Sequence, residues 1–461
     1  MPVAVEIDVA DVMNKGRMGP FQLVTLALCA MCMIVDGFDV QAISYVAPAI
    51  VREWHIAKAS LGPVFSASLA GMLLGSLAFT PLADRLGRRP VLIASTLLLA
   101  AFTAATPLAA SVGQLIAWRL LAGLSLGAII PNAVALASEY SPPSIRVSVM
   151  MIVSVGFVLG GLISGTSAAW LIPAFGWHAV FYVGAVVPLL SAALMAVALP
   201  ESMQFLIVRQ RHREKVRKWL ARVDPALPIG EHTVFVVRER ANPGSPVLNL
   251  FRDGKAMGTL LLWAMNFSNL LCVFFLANWL PLLMNDAGHS TSLAVMAGAA
   301  MWCGGIASNL LLGRVVERFG FTAVLTCSFI AAGLAMASIG EVRGVAWLAL
   351  AAIFVAGFCV LGNQTALNAL AATYYPTSIR ATGMGWALGS GRLGSIVGPV
   401  VGGVLLRLRW PTEQLFFCAT IPLVVAVVAV LMFDRLSLPA GQDAREQLDG
   451  RAPEALDGGA R

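Results

Sequence analysis

Charge is what this chain lacks. Only 12% of its 461 residues are Asp, Glu, Lys or Arg, while 58% are hydrophobic. A soluble domain of this size carries about twice that share of charge on its surface, so a soluble fold is excluded and an integral membrane protein is expected. Histidine is scarce too. The five His lie near loops and none has metal-ligand spacing, so no metal is expected. The seven Cys (29, 32, 272, 303, 327, 359 and 418) all fall in apolar runs and read as small buried hydrophobes rather than a disulfide framework. Cys29-x-x-Cys32 has no further Cys or His beside it to complete a redox or metal site. A phosphate-cradling Gly loop and a nucleophile–base pair are both missing, which argues against an enzyme and against ATP drive. Residues 1–20 hold acids and no short apolar core, so the first apolar run is expected to be an uncleaved anchor. The net charge of +7 does not imply nucleic acid, because the basic residues fall in loops that membrane topology already explains.

What is present is twelve apolar runs, at about 21–47, 60–83, 90–110, 113–137, 147–171, 177–199, 257–284, 292–315, 322–340, 345–370, 381–406 and 413–433. Runs of about 20 residues span a bilayer as helices. The expected fold is therefore all-α, with twelve transmembrane helices in two six-helix bundles. Residues 1–199 form the first bundle, 200–256 a polar cytoplasmic loop and 257–433 the second bundle, with 434–461 a disordered tail. With both termini cytoplasmic, the inner segments hold 24 Lys and Arg, 11 of them in 200–256. The outer loops hold five: Arg52, Lys58, Arg343, Arg407 and Arg409. The short loop with Arg85, Arg88 and Arg89 carries more weight in this assignment than the long central one. Arg209–Lys218 is expected to be a basic surface helix near anionic headgroups.

The halves repeat. Leu82-Ala-Asp-Arg-Leu-Gly87 matches Val315-Val-Glu-Arg-Phe-Gly320 at an offset of 233, and Tyr140–Arg146 matches Tyr374–Arg380 at 234. Two matches at nearly one offset imply bundles related by an axis along the membrane normal, with a transport site between them. The repeat breaks where chemistry concentrates. Asp36 and Asp39, one helical turn apart in the first run, put two expensive acids on one face. The counterpart of Asp36 is Asn269, and the second half offers amides instead: Asn266, Asn269 and Asn278 in the seventh run, and Asn363, Gln364 and Asn368 in the tenth. Titratable groups thus sit in one half and neutral hydrogen-bonding groups in the other. A carboxyl group in a poorly solvated cavity holds its proton tightly, and a second one nearby adds to that. Asp36 and Asp39 are therefore the expected proton-coupling pair, with Asp39, nearer the outer end, the expected carrier of the moving proton.

Leu82-Ala-Asp-Arg-Leu-Gly-Arg-Arg89 resembles the inner-loop signature of the major facilitator superfamily, with Thr80 where the family usually has Gly. The second copy keeps Gly313 but has Glu317 for Asp and Phe321 for Arg. Asp36-Gly-Phe-Asp39, Tyr45-x-Ala-Pro48, Pro200-Glu-Ser202, Asn278-Trp-Leu-Pro281 and Tyr375-Pro-Thr-x-x-Arg380-Ala-Thr-Gly383 narrow this. Together they are similar to the aromatic acid:proton symporter family, over nearly the whole chain. That resemblance implies a multi-pass protein of the bacterial inner membrane, importing a benzoate-, hydroxybenzoate- or hydroxyphenylpropionate-like anion with a proton. The proton gradient drives it without a cofactor, and the protein works as a monomer. It also implies that Asp36 and Asp39 are required for transport, and that Arg119, Arg392, Arg380 and Asp84 match functional positions.

Guanidinium suits a carboxylate and keeps its charge, so Arg392 and Arg119 are the expected binders of the substrate carboxylate. Arg119 has an alternative role, a fixed ion pair with Asp36 or Asp39 that only holds helices together. Phe38, Phe358 and Trp386 are candidates to stack on a substrate ring, with Asn269, Asn363 and Gln364 as polar pocket candidates. Asp84, Arg85, Arg88, Arg89, Glu139, Arg146, Glu317, Arg318 and Arg380 are expected at the inner gate, with Glu139 and Arg146 as a possible pair. An exporter or carrier of another organic anion, and a membrane sensor of aromatic acids, remain alternatives.

Overall fold

The computed structural model describes residues 6–8, 18–142, 145–209, 213–223, 234–236, 247–252, 254–286, 290–341, 346–376 and 379–437. Strand β1 (Glu6–Asp8) precedes α1 (Pro20–Trp54), α2 (Leu61–Leu86), α3 (Arg88–Ala105), α4 (Val112–Glu139), α5 (Arg146–Phe175) and α6 (His178–Ala198). The central stretch holds α7 (Met203–Val208), α8 (Arg213–Val223) and strand β2 (Val234–Val236), which pairs in parallel with β1. Then follow α9 (Ala256–Asp286), α10 (Thr291–Phe319), α11 (Phe321–Glu341), α12 (Ala346–Tyr374), α13 (Arg380–Arg407), α14 (Thr412–Cys418) and α15 (Ile421–Ser437).

Twelve of these segments are long and apolar enough to cross a membrane, the last formed by α14 and α15 together. Large apolar side chains cover their outer faces, among them Leu310, Leu334 and Trp347. Water would penalise such a surface and lipid does not. Two boundaries differ from expectation. Helix α1 runs through Pro48 to Trp54, beyond the expected end of the run at about 47. Proline is tolerated in membrane helices where neighbouring groups re-satisfy the freed backbone; one turn on, Arg52 Nε donates to the Pro48 carbonyl at 3.2 Å. The basic surface helix starts at Arg213 rather than Arg209, which instead caps α7. Its apolar face is buried, with Trp219 stacked on Phe21 of α1. Residues 438–461, the expected tail, lie outside the described residues.

The sequence repeat is a structural repeat. Gly87 and Gly320 both end a helix with φ of 109° and 78°, a region that only glycine occupies cheaply. Helices α1–α6 pack on one another, as do α9–α15. Small residues set these approaches. A Cβ on Gly37 of α1 would lie 1.9 Å from the Phe157 carbonyl oxygen of α5, and Gly71 and Gly75 of α2 sit against Gly123 and Gly127 of α4.

The two bundles meet through α1 with α9, α2 with α13 and α5 with α10. The contacts that join them lie in the half remote from the bundle termini. Ser44 donates to the side-chain oxygen of Asn278 at 2.9 Å, Ser66 donates to the Ile396 carbonyl at 2.8 Å, and Lys58 pairs with Asp286. Gly62 abuts Pro399 and Gly403, and Tyr45 of α1 fills the space over Gly165 of α5 and Gly298 of α10. Trp302 of α10 lies on Gly161 of α5, edge-on to Phe157.

Candidate functional site

Helix α1 carries both acids, and the structure gives them opposite environments. Asp39 is fully engaged. Arg119 of α4 forks onto it, with Nη1 donating to Oδ1 at 3.2 Å and Nη2 to Oδ2 at 2.8 Å. Nη2 also donates to the Asp39 carbonyl at 3.0 Å, and Nε donates to Ser68 Oγ at 3.0 Å. The Thr103 hydroxyl adds a third donor to the carboxylate at 2.7 Å. The pair is excluded from solvent (0% and 1% exposed), and the Phe181 ring lies under the guanidinium at 5.8 Å. Removing one partner of such a pair leaves a bare buried charge and costs about 3–5 kcal/mol. The geometry around both groups is closed. Asp39 has no free carboxylate oxygen, and all three Arg119 nitrogens are spent on Asp39 and Ser68. Through these contacts Arg119 ties α1 to α2 and α4.

Asp36 is the reverse. Its side chain is wholly buried, and neither carboxylate oxygen receives a hydrogen bond from the described residues. The cation acting on it comes from the other bundle: Arg392 of α13. Arg392 is placed by its neighbours, since Gly391 abuts Asn266 and Leu270 of α9 and Gly394 abuts Phe267. A buried carboxyl group without a donor is stable only when protonated or facing a cation.

The second bundle contributes an amide chain. Asn269 Nδ2 donates to the Val360 carbonyl at 3.1 Å and to Gln364 Oε1 at 3.0 Å. Gln364 Nε2 donates to Asn266 Oδ1 at 3.1 Å and Asn368 Oδ1 at 3.2 Å. Asn363, fully buried on α12, has both amide atoms unpartnered. Two ring candidates lie elsewhere. Phe38 packs inside the first bundle over Gly184 of α6. Trp386 stacks on Trp263, at 5.6 Å and 18°, next to an apolar groove between α9, α13 and α15. At about 100° of turn per residue, Phe38 points about 200° round α1 from Asp36, and Trp386 about 240° round α13 from Arg392.

The charged groups at the termini-side ends form a lattice within the first bundle. Arg88 pairs with Glu139, which also accepts from Ser202 Oγ at 2.6 Å. Arg89 donates to the Ala196 carbonyl. Asp84 lines a surface hollow with Arg88, Glu139, Ser202 and Arg209, while Arg85 is exposed. In the second bundle Glu317 and Arg318 are exposed, with Arg318 over the Phe319 ring, and Arg380 Nε donates to the Tyr375 carbonyl. Sequence reasoning missed Glu201. Its Oε1 accepts from the backbone N–H groups of Arg88 and Arg89 at 2.9 and 3.1 Å, capping α3 where the helix dipole is positive. An acid directly after the sixth run, with a Gly-Arg-Arg helix start in an inner loop, was the available signal. Four cysteines are buried as expected, while Cys303 and Cys327 are on the outer surface.

Comparison with known proteins agrees with this architecture. The profile of the Major Facilitator Superfamily matches residues 29–339 and 262–456. This chain belongs to that superfamily. The family is one of membrane transporters, not enzymes. The chain is 38% identical to the 4-hydroxybenzoate transporter of Pseudomonas aeruginosa, covering 94% of this chain and 97% of that one. It is 35% identical to a gallate transporter of Pseudomonas putida, covering 93% and 96%. Its fold is that of a bacterial homologue of the human lysosomal transporter Spinster, solved inward-facing and unoccupied, with a TM-score of 0.70 and 18% identity over 91% of this chain and 98% of that one.

Proposed function

We propose that this protein imports a small aromatic carboxylate together with a proton by alternating access, in the inner membrane of a bacterium. The observation that carries the reading is the contrast within α1: Asp39 is locked by Arg119, while Asp36 is bare and faces Arg392 of the other bundle. The names of the relatives supply the substrate class. Excess Lys and Arg on the termini side supports cytoplasmic termini. The far-side contacts then seal the periplasmic face, and the described conformation is the one closed to the outside.

In the cycle, Asp36 takes a proton from outside and releases Arg392 from its field. The substrate carboxylate then docks on the Arg392 guanidinium. The bundles rock about the α2–α13 and α5–α10 contacts, and proton and anion leave on the inner side, where Arg392 and Asp36 face each other again. Symport of one proton with one monovalent anion moves no net charge, so the pH gradient drives it and no cofactor is needed. The monomer holds every group in this scheme, and the bilayer surrounds it.

Uptake of labelled 4-hydroxybenzoate in cells lacking their own carriers tests the reading. Protonophore-sensitive accumulation by the wild type, lost in Asp36→Asn, is expected. Uptake that survives both treatments removes the proton from the scheme. Preferred efflux, or counterflow only with non-aromatic acids, makes the protein a different carrier. Binding without flux makes it a sensor.

A further inference from the structure

Asn269 occupies the place in the second bundle that Asp36 occupies in the first, and its amide is oriented with no freedom left. Val360 presents a main-chain carbonyl to it, and only the nitrogen end can bond there. The other end of the chain is fixed in the same way, since Asn266 Nδ2 donates to the Leu262 carbonyl at 2.9 Å. Gln364 joins the two. With Asn266 turned so that its oxygen faces Gln364, the Gln364 nitrogen must point to Asn266 and Asn368 and its oxygen to Asn269. The four amides are thus polarised between two backbone carbonyls. This leaves Asn269 Oδ1 buried, an obligate acceptor, and without a donor among the described residues. A native interior rarely leaves such an atom unpaired without a reason.

The atom is also in the right place. Asn266 and Leu270, which bracket Asn269 on α9, are the residues that Gly391 of α13 abuts, so Arg392 and Asn269 lie at the same depth on adjacent helices. Helix α9 in turn packs on α1, which brings Asp36.

We propose that Asn269 Oδ1 reads a hydrogen-bond donor on the substrate ring, a phenolic hydroxyl, while the carboxylate is held on Arg392. Gln364 is a positioning residue: it touches no substrate and keeps the Asn269 oxygen presented. This rests on the transport reading above and adds a specificity to it. A ligand with a ring donor satisfies the acceptor, whereas a bare or acceptor-only ring leaves it unpaired.

The test is competition against labelled hydroxybenzoate uptake, with the hydroxy-, amino-, fluoro- and unsubstituted benzoates at each ring position. In the wild type, at one ring position, the hydroxyl and amino acids should compete about tenfold better than the fluoro acid and benzoate. In Asn269→Leu and in Gln364→Met that ratio should collapse towards one. The Gln364→Met effect should appear in KM for the hydroxyl acid rather than in the maximal rate. A fluoro acid that competes as well as its hydroxyl analogue in the wild type overturns the proposal without any variant. So does a ratio unchanged in both variants when their thermal unfolding matches the wild type. A wild type that takes up no aromatic acid at all instead overturns the transport reading on which this one stands.

Discussion

Replacing each acid of α1 by its amide should give two different failures. In Asp39→Asn, Arg119 keeps its charge at 0% exposure and loses the carboxylate that receives two of its hydrogen bonds. The Thr103 hydroxyl loses a charged acceptor as well. Breaking one side of a buried pair costs about 3–5 kcal/mol, so this variant should unfold in detergent well below the wild type and accumulate poorly in the membrane. In Asp36→Asn no hydrogen bond is lost, because none is made. Its stability should stay close to that of the wild type, since Arg392 is only half-buried and makes no direct ion pair with Asp36 among the described residues. Its function should split. In proteoliposomes, a pH gradient of one unit supports about tenfold accumulation through a one-proton symport, equivalent to about 1.4 kcal/mol. Asp36→Asn should show no accumulation under that gradient while still exchanging labelled for unlabelled substrate across the bilayer. The reverse pattern, with Asp39→Asn stable and uncoupled and Asp36→Asn still concentrating substrate, would refute the assignment of the proton to Asp36.

Three further outcomes follow from the packing. Glu201→Ala removes the carboxylate that caps α3 through Arg88 and Arg89 N–H and should lower stability by about 1–2 kcal/mol, read by thermal unfolding, with Glu201→Gln losing less. Gly37→Ala would put a methyl group 1.9 Å from the Phe157 carbonyl oxygen and should abolish folded carrier, while Gly313→Ala, in open space, should leave expression unchanged. The Lys58→Cys, Asp286→Cys double variant joined by a short thiol cross-linker should stop uptake, because the linked segments belong to different bundles, and each single variant treated alike should still transport.

The sequence by itself determined the class of fold and its twofold plan. Twelve apolar runs in a charge-poor chain leave the backbone no partner but its own helix, and the offset of 233 between the two inner-loop motifs reappears as paired left-handed glycines at 87 and 320. Two acids on one helix face also pointed to a candidate site from their spacing, because burying charge in a membrane is costly. What the sequence could not divide was the pair itself. Asp36 and Asp39 have the same chemistry and one turn of separation, and their surroundings differ only through what other helices bring to them: Arg119, Ser68 and Thr103 to one, Arg392 to the other. The same holds for Phe38 and Trp386, aromatic residues near the right depth that the rotation of their helices turns elsewhere, and for Asn269, whose free oxygen exists because Val360 and Gln364 occupy its nitrogen. Local pattern fixes which residues share a helix face. Which neighbour that face meets depends on contacts far apart in the chain, and those contacts exist only in the tertiary structure.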